Sequence, residues 1–205
     1  MRGSAAAVIA ILMQAQATNL PPAYPRAGVT RILDNDRVQV WNIGWLKGQP
    51  SPLHRHVYDL VGVYYEPGDR MIISPEGAKR PVSTRAWDIA FQRTGITHIE
   101  EGTSEAPLRA VFVEMKLAGA YGADPAAAGT SPFTGEGATQ KLDNDRVTVW
   151  EYVQPPPGGA HRHLHDAVVV ALGSGSPRAV WVKRGTVHSD EGAGGAARVY
   201  VFEIK

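Results

Sequence analysis

From residue 30 onward the chain is written in short runs in which apolar or β-branched residues alternate with polar ones or follow one another directly. RVQVW, LVGVYY, RMIIS, WDIAF, AVVVAL and AVWV are such runs, and turns bearing glycine and proline, among them EPGD, PEG and GSGSP, separate them. No stretch between residues 30 and 205 keeps a helical period for even about three turns. Many short strands with turn signals at this spacing predict an all-β sandwich or barrel.

The pattern occurs twice. LDNDRVQVW at 33–41 returns as LDNDRVTVW at 142–150 with one mismatch, which marks an internal repeat. Three further landmarks follow in the same order: His54 and His56 match His161 and His163, GITH at 95–98 matches GTVH at 185–188, and RAVFVEMK at 109–116 matches RVYVFEIK at 198–205. Two tandem units follow, over residues 24–116 and 140–205, joined by a linker at 117–139 rich in Ala, Gly, Pro, Ser and Thr. The second unit is shorter: 42 residues separate His56 from His98, but 25 separate His163 from His188, as if the hairpin RMIISPEGAKRPV had been lost.

Composition narrows the chemistry. The chain has 205 residues, 43% of them hydrophobic, enough for a genuine core. A net charge of +1 from scattered charges offers no case for nucleic acid or an anionic membrane, and a small-molecule ligand or substrate is the better expectation. With no cysteine, any metal must be held by nitrogen and oxygen. The opening MRGSAAAVIAILMQAQA has a basic Arg2, an apolar run from Ala5 to Met13 and a small-x-small site at Ala15–Ala17. It reads as a secretory signal over residues 1–17, which makes the mature protein periplasmic or secreted and free of the membrane. A mis-started N-terminus is the competing reading.

Histidine is the informative residue. Six of the seven sort into two matching triples, His54/His56/His98 and His161/His163/His188. Side chains at i and i+2 of a strand share a face, so each H-x-H pair projects two imidazoles together, and the distal histidine supplies a third. Three imidazoles suit a divalent transition metal, Zn, Fe, Ni, Cu or Mn. The seventh, His165, would point inward by strict alternation, where the first unit has Tyr58. Asp59 and Asp166 each follow the second histidine by three residues. Two readings stand for them: an ion pair with Arg55 or Arg162, or a carboxylate that orients a ligand imidazole.

These motifs resemble the cupin superfamily, and the chain as a whole resembles a two-domain bicupin. The matching residues are Gly48 ahead of His54-x-His56, and the G-x-x-H segments ending at His98 and His188. The second half, with HRHLHDAVVV, is similar to small cupins assigned to beta-alanine degradation. The resemblance implies two jelly-roll β-barrels, with the histidine triples as metal ligands. Two departures stand out. The family's glutamate in the first motif is replaced by Leu60 or Val61 and by Ala167 or Val168, and the proline of the second motif is absent.

LDNDRV reads as a turn rather than a catalytic segment, because Asp and Asn bond nearby backbone ahead of strands. Trp41 and Trp150 read as core, and Tyr64, Tyr65, Trp87 and Phe91 as core or as the walls of a small pocket. No P-loop, nucleophile elbow or dinucleotide fingerprint occurs. Two functions remain open: a metal-dependent enzyme of oxygenase, isomerase or lyase type acting on a small carboxylated or hydroxylated molecule, and a non-catalytic module that holds a ligand or a metal. Duplication supplies in one chain what single barrels obtain by pairing, so monomer and homodimer are both expected forms.

Overall fold

The computed structural model describes residues 20–116, 137–153, 160–189 and 196–205. The expected signal at 1–17 and all but the last residues of the expected linker lie outside them. In the first unit the strands are β1 (Val29–Asp34), β2 (Val38–Trp45), β3 (His54–Arg55), β4 (Asp59–Glu66), β5 (Gly68–Ile73), β6 (Lys79–Thr84), β7 (Ile89–Gln92), β8 (Thr97–Gly102) and β9 (Leu108–Met115). In the second they are β10 (Ala138–Asp143), β11 (Val147–Tyr152), β12 (Asp166–Leu172), β13 (Arg178–Val182) and β14 (Arg198–Ile204). β10 starts inside the expected linker because Ala138 and Thr139 pair with Tyr152 and Glu151, as Val29 and Thr30 pair with Ile43 and Asn42.

The repeat is a repeat of topology. One antiparallel sheet runs β1-β2-β9-β4-β7 and another runs β10-β11-β14-β12-β13, the same order strand for strand. Even the irregularity recurs, with register shifts between Arg31 and Leu33 and between Gln140 and Leu142. The LDND segment is the turn the sequence predicts. Asn35 Oδ1 accepts from the N–H of Arg37 and Val38 at 2.8 and 2.9 Å, and Asn144 Oδ1 from Arg146 and Val147 at 2.8 and 3.0 Å.

A third sheet, β3-β8-β5-β6, closes the first unit into a two-layer barrel. In the second unit residues 173–177 join β12 directly to β13, so the counterpart of the β5–β6 hairpin is missing, as the histidine spacing predicts. Among the described residues, its opposing layer is reduced to the bridge between His161 and His188.

Alternation gives each five-stranded sheet two buried faces. Val38, Val40, Val61, Val63, Val111 and Val113 pack against Val147, Val149, Val168, Val170, Tyr200 and Phe202 in one core shared by both units. The opposite faces line the two interiors: Trp41, Ile43, Trp45, Leu60, Tyr64 and Phe112 in the first, and Tyr152, Ala167, Val169, Ala171, Val199 and Val201 in the second. Tyr65, Trp87 and Phe91 therefore pack on the shared core instead of walling a pocket, and Trp87 stacks on Tyr200 at 6.4 Å. Tyr64 alone of that group faces the interior.

Asp59 and Asp166 have a role that neither sequence reading contains. Asp59 accepts from Arg146 Nε at 2.9 Å, and Asp166 lies 3.6 Å from Arg37 Nη2, so each carboxylate pairs with the LDNDR arginine of the other unit. Their second oxygens accept from the backbone N–H of Thr94 at 2.8 Å and of Arg184 at 2.9 Å, inside the turns that precede the distal histidines. The chain between Arg55 and Asp59 is not one continuous strand, and it is the sheet packing that brings Arg37 and Arg146 to the two carboxylates. Breaking a buried pair from one side leaves a charge uncompensated, at about 3–5 kcal/mol. Arg93 also reaches Asp59, at 3.2 Å, so Arg146→Ala should fall at the low end of that range in urea unfolding. A loss below about 0.5 kcal/mol, typical of a surface site, would mean the cross-unit pair is idle.

Candidate metal centre

The two H-x-H segments are held by backbone before any side chain is considered. His54 on β3 lies opposite His98 on β8. Just past β3 the His56 N–H donates to Ile96 O at 2.9 Å, and the Gly95 N–H donates back to His56 O at 2.7 Å. In the second unit His161 and His188 exchange both N–H···O bonds at 2.9 and 3.0 Å, and the Gly185 N–H donates to His163 O at 3.0 Å. Gly95 and Gly185 have φ of 95° and 72°. A side chain there would be strained, which is why the G-x-x-H motif needs its glycine.

This framework brings each triple together. Ring centroids are 5.1, 4.8 and 5.1 Å apart in the first triple and 5.2, 4.3 and 4.9 Å apart in the second. In each triple the ring nitrogens that could serve as ligands lie within 4.8 Å of one another. His56 Nε2 and His98 Nε2 are 3.2 Å apart, the separation of two nitrogens each about 2.1 Å from one ion at an angle of roughly 100°. His54 Nδ1 sits 3.0 Å from Pro52 O and 3.2 Å from Ser51 Oγ. Donation to the Pro52 carbonyl places the proton on Nδ1 and leaves a lone pair on Nε2, which is buried without a hydrogen-bond partner. A buried orphan acceptor in a ring of imidazoles is what a metal ligand looks like before the metal, and the donor set fits a divalent transition ion.

The electrostatics favour neutral imidazoles. Burial pushes His56 down to about 3 and lowers His54 and His98 as well, against the opposing pull of Glu100. Glu100 itself is fully buried. Burial would raise it, but Arg70, then His98 and Arg26, and the indole N–H of Trp45 hold it at about 2. Its Oε1 lies 4.0 Å from His98 Nε2. Farther along the interior, Glu114 accepts from Trp41 Nε1 at 2.8 Å, and burial raises it to about 7. The equivalent Glu203 accepts from Trp150 Nε1 at 3.1 Å and lies 3.4 Å from His163 Nδ1.

Leu60 or Val61 and Ala167 or Val168 stand where cupins place a glutamate, and all four are buried apolar residues. The structure supplies carboxylates from other strands instead: Glu100 on β8 beside His98, and Glu203 on β14 beside His163. Parity could have found Glu100, two residues after His98 on the same face. Glu114 and Glu203, single acids in matching apolar strands, were equally visible. His165 and Tyr58 are half-buried and stand outside both triples, and Asp59 and Asp166 serve the turns and the cross-unit pairs.

No family model and no curated protein matches the chain. Solved structures do. AerE from Microcystis aeruginosa is 9% identical with a TM-score of 0.57, over 90% of this chain and 95% of its own. A cupin domain from Bordetella pertussis Tohama I is 25% identical with a TM-score of 0.41, over 48% of this chain and 98% of its own. A Cupin 2 conserved barrel domain protein from Salinispora arenicola is 18% identical with a TM-score of 0.35, over 44% of this chain and 75% of its own. The fold is all-β, two tandem units with the same sheet order, and over 90% of the chain it is similar to that of AerE.

The depressed imidazoles carry a pH signature. As pH falls from about 6.5 toward 3, the unfolded metal-free chain takes up a proton that the folded chain's His56 refuses, so stability is lost across that window, and the lowered His54 and His98 act in the same direction. Glu114 acts oppositely between about 4.5 and 7, where the folded chain keeps a proton the unfolded chain releases. In a Glu114→Gln background, which removes that opposing carboxyl, the urea midpoint of the metal-free protein should drop between about pH 7 and pH 5, and His56→Gln should flatten the drop. An equal midpoint at both values would contradict the buried neutral triple.

Proposed function

We propose that the protein is an exported, metal-binding bicupin in which a divalent transition ion at His54, His56 and His98 serves a reaction on a small molecule. The supporting observation is the convergence of three buried imidazoles, one with an orphaned Nε2, beside an ionised Glu100. A bound ion of this class supplies Lewis acidity and open coordination positions. The chain's own residues do the rest. Pro52 and Ser51 fix the His54 tautomer, and Glu100 adds negative charge next to His98. Glu114, near 7, can hold or release a proton inside the barrel at neutral pH. Oxygenase, isomerase and lyase reactions all fit such a site, and neutral imidazoles suit Zn, Cu, Ni and Fe better than Mn.

The second triple is read as a further metal site, with Glu203 as the carboxylate behind His163. Export rests on the pattern of residues 1–17. A monomeric form is favoured because each unit's valine-rich face is already covered by the other. One observation favours the non-catalytic reading: His54, His56 and His98 are only 1%, 3% and 6% exposed, and closed sites are usually structural.

His54→Ala with His56→Ala should remove the first ion and spare the second, and His161→Ala with His163→Ala should do the reverse, by elemental mass spectrometry of the purified variants. Joint loss of both ions in either variant would contradict separate sites. Glu203→Gln should weaken the second site by about 10- to 100-fold in a chelator competition and leave the first unchanged. Turnover of small acids and sugars that depends on which metal is loaded, and that vanishes with the first pair, distinguishes an enzyme from a binding module.

A further inference from the structure

The first interior holds more positive charge than its own carboxylates neutralise. Arg26, from the segment ahead of β1, and Arg70, on β5, both reach Glu100: Arg26 Nη2 donates to Oε2 at 3.2 Å, and Arg70 Nε lies 3.7 Å from Oε1. Their side chains are only 8% and 11% exposed. Glu100 therefore faces two buried guanidiniums, and the depressed imidazoles add no negative charge. Burying an uncompensated charge costs several kcal/mol unless something pairs with it.

The hydrogen bonds tell the same story. Arg26 Nε, Arg70 Nε and Nη1, and the hydroxyl of Tyr24 are buried and have no hydrogen-bond partner in the protein. Buried donors of native proteins are almost always satisfied, by protein, water or ligand. Four orphan donors on three side chains around one carboxylate are a concentration of unmet demand for acceptors. The aromatic packing holds these groups in place: Arg26 lies over Trp45 at 5.7 Å and Tyr24 at 5.8 Å, and Arg70 over Trp45 at 4.8 Å and Tyr64 at 5.2 Å. With ring faces occupying the guanidinium planes, the in-plane N–H edges are left for recognition, and their fork matches a planar carboxylate.

We infer that Arg26, Arg70 and Tyr24 form an anion subsite beside the first histidine triple, and that it takes the carboxylate of a small organic acid. This rests on the proposed metal reading only for the second contact, in which the acid's other oxygen reaches the triple; Glu100, touching both arginines and lying 4.0 Å from His98 Nε2, links the two. Among the described residues the subsite belongs to the first unit alone, because Arg70 sits on the hairpin that residues 173–177 replace in the second. The second triple is thus an internal control that has imidazoles without the clamp.

The test is calorimetry on the full chain, zinc-loaded and chelator-stripped, with oxalate, acetate, inorganic phosphate and uncharged acetamide as probes. Oxalate should bind best, acetate should bind the stripped protein more weakly, and acetamide should not bind. Arg26→Gln and Arg70→Gln should each weaken oxalate by about 10- to 100-fold while zinc content stays at the wild-type value. Arg70→Lys, which keeps the charge if the glutamine variant misfolds, should retain an intermediate affinity. If the stripped protein still binds acetate through the arginines but takes up no zinc, the subsite stands and the metal reading falls. Normal zinc content with no carboxylate binding overturns the subsite. So does oxalate affinity that vanishes with His54→Ala and His56→Ala yet ignores the arginine variants, or arginine-dependent preference for phosphate.

Discussion

Each five-stranded sheet has to be buried on both faces, and most of the molecule follows from that requirement. Strand side chains alternate, so β2, β4 and β9 must offer valines to the other unit with one parity and build an interior with the other. A shift of one residue in register would exchange the two faces and send Trp41, Ile43 and Trp45 into the valine layer. The repeated bulges at Arg31/Leu33 and Gln140/Leu142 and the repeated Asn turns hold that register in both copies. Duplication thus solves a burial problem: the face that a lone unit would leave exposed is covered within the same chain.

The cross-unit pairs tie this packing to the histidines. Asp59 and Asp166 begin β4 and β12, and each reaches in two directions. One oxygen meets an arginine from the other unit's LDNDR turn, and the other holds the backbone of the loop that delivers the distal histidine. The repeat segment that looks most catalytic in sequence therefore works structurally, and it does so at the junction between the units.

The fold was readable because its signals are local: period-two runs, turn residues, and a repeat spelled almost identically twice. The histidine triples were readable for the same reason, since H-x-H parity and a glycine-led third histidine are short motifs. What escaped were relations across strands. Glu100 is the exception, since it lies two residues after His98 on the same face of β8 and the period-two pattern reaches it. Arg26 and Arg70 lie 44 residues apart by number, and only the closing of the third sheet over Trp45 brings them to one carboxylate. Arg55 is the arginine nearest Asp59 in sequence, whereas Arg146 is its partner in space.

The central claim is that the first triple holds metal through neutral, buried imidazoles, and X-ray absorption at the zinc edge of the loaded full-length protein tests it most directly. The account predicts three imidazole nitrogens per zinc at about 2.0–2.1 Å, with the remaining positions filled by light oxygen donors. Zinc surrounded by oxygen alone, or by fewer than two imidazoles, would place the ion outside the triples and contradict it.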